Sequence, residues 1–135
     1  MATSDKNRME GIRLLLVDEE EEYAKVLSKR MAKRRILVTP ALSGGEAIQV
    51  FRRQDFDVVI LDLRLEDMDS IEVLKILKKM DPSPPVIMLT GQDLEKAARE
   101  GLTYGASDYL TKPCELEELL VKIENACRGG GGQVE

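Results

Sequence analysis

Five short apolar runs punctuate this chain, each followed by a segment whose apolar residues recur at helical spacing. That alternation constrains the fold more than any other feature. The runs are Leu14–Val17, Ile36–Val38, Val58–Leu61, Val86–Leu89 and the weaker Tyr109–Leu110. They are continuous rather than alternating, as expected of strands covered on both faces. Between them Tyr23, Val26, Leu27 and Met31 mark one helical stripe, and Ala47, Ile48 and Phe51 a shorter one. Ile71, Leu74 and Leu77 follow, then Leu94, Ala97, Ala98 and Gly101. Leu116, Leu119, Leu120, Ile123 and Cys127 close the series with the cleanest amphipathic pattern. Strands separated by single helices predict an α/β fold, a (βα)5 three-layer sandwich around a five-stranded parallel sheet.

Size and charge narrow the reading. The 135 residues predict a single domain that needs no disulfide or metal to complete its core. The expected limits are a flexible N-terminus over 1–11, a folded domain over 12–128 and a flexible glycine-rich tail over 129–135, begun by Gly129 to Gly132. With 20 basic and 25 acidic residues the net charge is −5, which argues against direct binding to nucleic acid or to an anionic membrane. Histidine is absent, which excludes Ser-His-Asp triads and histidine zinc sites. Cys114 and Cys127 fit no CxxC spacing and read as reduced thiols. No apolar run is long enough to span a bilayer and the first residues lack a signal-peptide core, so the expected location is cytoplasmic.

In an open parallel sheet, ligands bind beyond the carboxyl ends of the strands. Strand one runs into Asp18 and Glu19, strand three into Asp62, strand four into Thr90 and Gly91, and strand five into Thr111, Lys112 and Pro113. Adjacent strands would bring three carboxylates, a hydroxyl and an ammonium onto one rim. Clustered carboxylates repel, and a hard divalent cation with oxygen ligands, Mg²⁺ above all and Mn²⁺ as an alternative, is their natural complement. An ionised Asp62 beside such a cation has the makings of a nucleophile toward phosphorus, with Lys112 offsetting charge on the phosphoryl oxygens and Thr90 donating a hydrogen bond to one.

The segments Leu16-Val-Asp-Glu19, Val59-Ile-Leu-Asp-Leu63, Met88-Leu-Thr-Gly91 and Gly105-Ala-Ser-Asp-Tyr-Leu-Thr-Lys-Pro113 resemble the receiver domain of bacterial response regulators over about residues 12–127. The resemblance implies a flavodoxin-like fold with strand order 2-1-3-4-5. It implies that Asp62 accepts a phosphoryl group from a sensor histidine kinase or a histidine phosphotransfer protein in a Mg²⁺-dependent reaction. Asp18 and Glu19 then match the acidic pair that holds the metal directly or through water. Arg64 matches the position whose backbone carbonyl ligates it. Thr90 matches the switch hydroxyl, Lys112 the phosphoryl-pairing lysine and Tyr109 the aromatic switch. The implied output is a changed surface on the fourth helix, fifth strand and fifth helix that meets an effector protein or a second copy of the chain.

Four positions depart from the family's frequent residues. Glu66 stands where many members have proline, Ser70 where many have glycine, Gly91 where alanine is frequent, and Cys114 where phenylalanine follows the Lys-Pro pair. Three other functions compete. A degenerate receiver would bind partners without phosphorylation. An aspartate-nucleophile phosphatase usually carries a second acid two residues after the nucleophile, where this chain has Arg64. A flavin carrier needs a phosphate cradle after strand one, where Asp18 to Glu22 would repel phosphate. Glu20 to Glu22 read more simply as complements to a helix dipole, and Asp67 and Asp69 as loop and N-cap residues.

Overall fold

Apolar side chains alternate across the sheet along every strand, so each strand feeds two cores. In the computed structural model, which describes residues 10–132, Leu14, Leu16, Ile60, Ile87 and Leu89 face one core, while Leu15, Val17, Val59, Leu61 and Met88 face the other. The strands are β1 (Arg13–Val17), β2 (Leu37–Ala41), β3 (Val58–Asp62), β4 (Val86–Thr90) and β5 (Asp108–Thr111). All pair in parallel in the order β2-β1-β3-β4-β5. The helices are α1 (Glu21–Ala32), α2 (Gly44–Arg53), α3 (Ser70–Met80), α4 (Glu95–Thr103) and α5 (Leu116–Gly132). A single 3₁₀ turn, Gln92–Leu94, precedes α4. The fold is thus the α/β, flavodoxin-like sandwich expected.

Helix α1 buries Ala24, Leu27 and Met31, and α5 buries Leu119, Leu120 and Ile123, against the first core. Ala47 and Phe51 of α2 and Val73, Leu74 and Leu77 of α3 close the second. Full burial of a leucine- or phenylalanine-sized side chain contributes roughly 1.5–3 kcal/mol, so these stripes decide which helix face turns inward. Helix starts follow from capping. The Ser43 side chain accepts from Glu46 N at α2, and Glu46 returns the contact by accepting from Leu42 N. Asp69 caps α3 by accepting from Ile71 N, as its position predicts.

Several boundaries differ from the sequence reading. Strand β2 continues past Val38 through Pro40, which an edge strand tolerates because one side of its ladder is unpaired. Val26 is 54% exposed, because Ala24, Leu27 and Met31 carry the buried stripe of α1 instead. Leu94 falls in the 3₁₀ turn rather than in α4. Helix α5 runs to Gly132, past Arg128; continuing a helix adds one hydrogen bond per residue against a glycine cost of about 1 kcal/mol. The rest of the expected tail, and residues 1–9 of the expected N-terminal segment, lie outside the described residues. Glu10 pairs with Arg35 and Gly11 N donates to Arg35 O. Among the described residues no helix is long and apolar enough to cross a membrane.

Candidate functional site

Parallel pairing puts the last residues of β1, β3, β4 and β5 on one rim. Val17 lies opposite Leu61, Asp62 opposite Leu89, and Thr90 opposite Thr111. Lys112 follows β5 and is fixed there by its own N–H, which donates to Thr90 O. The Lys112–Pro113 peptide, whose isomer the sequence left open, is cis.

The Lys112 Nζ donates to Asp62 Oδ2 at 2.7 Å and to Asp18 Oδ2 at 3.2 Å. Asp18 is fully buried and Asp62 nearly so, at 0% and 4% exposure. The remaining carboxylate oxygens accept from backbone: Asp18 Oδ1 from Glu20 N and Asp62 Oδ1 from Arg64 N. Tyr23 lays its ring 4.3 Å from the Lys112 ammonium, a cation–π contact. Glu20 Oε1 lies 3.7 Å from the same ammonium. Glu20 therefore does more than complement a helix dipole, and its side chain makes no cap hydrogen bond at α1. Glu21 and Glu22 lie in the first turn of α1, as the dipole reading expected.

Two buried carboxylates thus share one ammonium, which leaves excess negative charge. Desolvation on burial pushes the Asp18 carboxyl up to about 6, reinforced by Asp62 and opposed by the Glu20 hydrogen bond and Lys112. Burial alone would lower the Lys112 ammonium; its hydrogen bond to Asp62 and the charges of Asp62 and Asp18 outweigh that and raise it.

The other expected site residues are placed as follows. The Thr90 side chain is buried beside Asp62's strand, with its hydroxyl donating to Gly91 O. The Tyr109 hydroxyl donates to Glu95 Oε2 at the start of α4. Glu19 turns toward the loop between β3 and α3, where its Oε1 accepts from Glu66 N. Among the described residues, no three histidine, cysteine, aspartate or glutamate side chains are gathered as a metal cluster. The donor chemistry nevertheless fits a hard divalent cation. Asp18 and Asp62 would offer carboxylate oxygens that one ammonium does not balance, and the Arg64 carbonyl and a reoriented Glu19 carboxylate would add two more.

Some contributors escaped the sequence reading. The Ser70 hydroxyl, buried at the start of α3, donates to the backbone carbonyl of Asp62. Asp67, expected as a plain loop residue, accepts from both Gly44 N and Gly45 N and so moors the β3–α3 loop to the start of α2. The Gly-Gly pair opening α2 was the signal for it, since a Cβ at Gly44 would come within 2.9 Å of Val73. Gly91 is flanked by an ion pair between Arg64 and Asp93. Cys114 and Cys127 are free thiols. Burial first, then nearby acidic charge, raises both, Cys127 to about 11.

A family model described as "Response regulator receiver domain" matches residues 14–124. The uncharacterized transcriptional regulatory protein YkoG of Bacillus subtilis is 38% identical over 127 residues, covering 94% of this chain and 56% of that protein. The chain spans between about a quarter and about half the length of the curated relatives it matches. Among solved structures, the Francisella response regulator 1452 receiver domain superposes with a TM-score of 0.80 at 30% identity, covering 87% of this chain and 98% of that one. A receiver domain protein (CheY-like) from Methanospirillum hungatei gives a TM-score of 0.85 at 25% identity, covering 90% and 98%.

Proposed function

Because the chain belongs to the response regulator receiver domains, phospho-accepting signalling modules of two-component systems, we propose that Asp62 is its phospho-acceptor and that a histidine kinase or phosphotransfer protein is the donor. The observation that carries this reading is the buried Asp62 carboxylate at the end of β3, held 2.7 Å from Lys112 Nζ with Asp18 on the same ammonium. An Asp62 oxygen attacks phosphorus, the donor's P–N bond breaks as the new P–O bond forms, and the leaving imidazole keeps the nitrogen's electron pair and takes a proton. Lys112 balances the transferred charge without moving, because Asp62, Asp18 and Tyr23 already fix it. A bound Mg²⁺ or Mn²⁺, held by Asp18, Asp62, Glu19 and the Arg64 carbonyl, supplies further charge neutralisation.

Thr90 and Tyr109 read the result. Turning the Thr90 hydroxyl from Gly91 O to a phosphoryl oxygen pulls on the β4–α4 connection, and Tyr109 links β5 to α4 through Glu95. The phosphorylated form favours a second arrangement of the α4-β5-α5 face, which presents itself to an effector or a second copy. The net charge of −5 supports an output through protein contacts rather than direct nucleic-acid binding. The test is incubation with acetyl phosphate and Mg²⁺ followed by intact mass measurement. Wild type gains one phosphoryl group and Asp62→Asn gains none; equal labelling of the two overturns the assignment.

A further inference from the structure

Resting on that proposed site, we propose that the Glu66 backbone N–H acts as a latch on Glu19, withholding a metal-ligating carboxylate until a cation competes for it. Two observations carry this. Glu19 Oε1 accepts from Glu66 N at 3.0 Å, a contact between residues 47 positions apart that joins the β1–α1 turn to the β3–α3 loop. Asp18 and Asp62, by contrast, are already joined through Lys112, and among the described residues no three acids are gathered so as to hold a metal ion. The third acid is thus engaged elsewhere.

The loop bearing the N–H is itself anchored on both sides of Glu66. Arg64 N donates to Asp62 Oδ1 before it. After it, Asp67 takes two backbone N–H groups of α2 and Ser70 Oγ donates to Asp62 O at 2.7 Å. With its neighbours tied, the Glu66 N–H cannot follow Glu19 toward a cation. Glu19 is not gathered with Asp18 and Asp62 while its Oε1 holds this N–H, so bringing either carboxylate oxygen to a shared cation moves the side chain off it, and the freed N–H turns to water because residue 66 is exposed. A residue without a backbone N–H at this position would leave Glu19 unlatched. Glu66 is consequently a positioning residue through its main chain, and its own side-chain charge is not the operative group.

The test separates main chain from side chain. Glu66→Pro deletes the N–H; Glu66→Ala keeps it and removes the charge. Titration calorimetry with MgCl₂ is expected to show Glu66→Pro binding Mg²⁺ roughly three- to tenfold tighter than Glu66→Ala, the scale of one solvent-accessible hydrogen bond to a carboxylate. In wild type, Mg²⁺ is expected to speed hydrogen exchange at the Glu66 amide and leave the Ser70 region protected. Circular dichroism and thermal melting verify that both variants fold; if Glu66→Pro does not, Glu19→Ala replaces it, which removes the acceptor, and its Glu66 amide must exchange faster than wild type without Mg²⁺. Equal affinities in the two Glu66 variants, with wild type binding Mg²⁺ and labelling on Asp62, overturn the latch and leave the phospho-acceptor reading intact. Absence of Mg²⁺ binding by wild type overturns the latch and the metal reading together.

Discussion

At the carboxyl end of the sheet, Lys112 serves two buried carboxylates, Asp18 and Asp62, whose side chains are 0% and 5% exposed. At the amino end, Arg13 meets a single carboxylate, Asp57, with side chains 49% and 38% exposed. The lower pair is bidentate, Nε to Oδ2 at 3.1 Å and Nη2 to Oδ1 at 3.0 Å, and Arg13 N adds a third hydrogen bond at 2.8 Å. One end is matched in charge and open to water. The other is mismatched and closed. A fold seeking stability alone would repeat the lower arrangement, so the upper one marks the candidate site, and its charge excess supports the cation and phosphoryl group proposed for it.

The largest expected effect comes from removing the shared ammonium. Lys112→Ala leaves two carboxylates facing each other under Tyr23 and is expected to lower stability by about 3 kcal/mol at pH 7 in EDTA, measured by urea denaturation. The loss should shrink as pH falls below about 6, where Asp18 takes a proton. A loss that does not vary with pH would locate the damage in packing, and would erase the electrostatic contrast between the two ends.

Asp18→Asn acts in the opposite direction. In the folded chain Asp18 holds its proton up to about 6, against an ordinary value of 3.8. Between those values the native state binds a proton that the unfolded chain has released, so stability falls as pH climbs through that window. The asparagine variant removes this slope. After discounting for the rim's partial access to solvent, it is expected to stabilise the protein by about 1–2 kcal/mol at pH 7 in EDTA, despite losing one hydrogen bond from Lys112. Millimolar Mg²⁺ should stabilise wild type and leave Asp18→Asn nearly unmoved in thermal melts.

The same contrast explains what was legible beforehand. Runs such as Val58–Leu61 announce strands because both sheet faces are covered, and the charged residue ending each run, such as Asp62, falls on the rim by topology alone. What stayed hidden was made by backbone groups or by residues of unremarkable type. Glu66 works through its N–H, Ser70 through a hydroxyl on Asp62 O, and Asp67 through two glycine amides of α2. None has a period or a motif. Glu20 and Tyr23 join Lys112 from the N-cap and first turn of a helix, where acidic and apolar residues are ordinary. The Thr90 hydroxyl's engagement with Gly91 O is likewise a rotamer, and residue type alone does not fix rotamers.

The smallest effect is expected at the amino end, and its sign is the sharpest check on the contrast. The Arg13 hydrogen bonds hold the Asp57 carboxyl below its ordinary 3.8, against a smaller opposing effect of burial. Its contribution is therefore present above that value and lost as pH falls through the lowered one, the reverse of Asp18. Because both partners are partly in water, Asp57→Asn should lower Tm by no more than about 4 °C at pH 7 and by less at pH 3. Raising the salt to 1 M should shrink the pH 7 difference further, since exposed charges are screened over a few ångströms there. Lys112→Ala, whose charges are enclosed, should keep most of its loss in the same salt. If Asp57→Asn resists salt as well, the lower pair is as shielded as the upper one, and exposure is not what divides the two ends of this sheet.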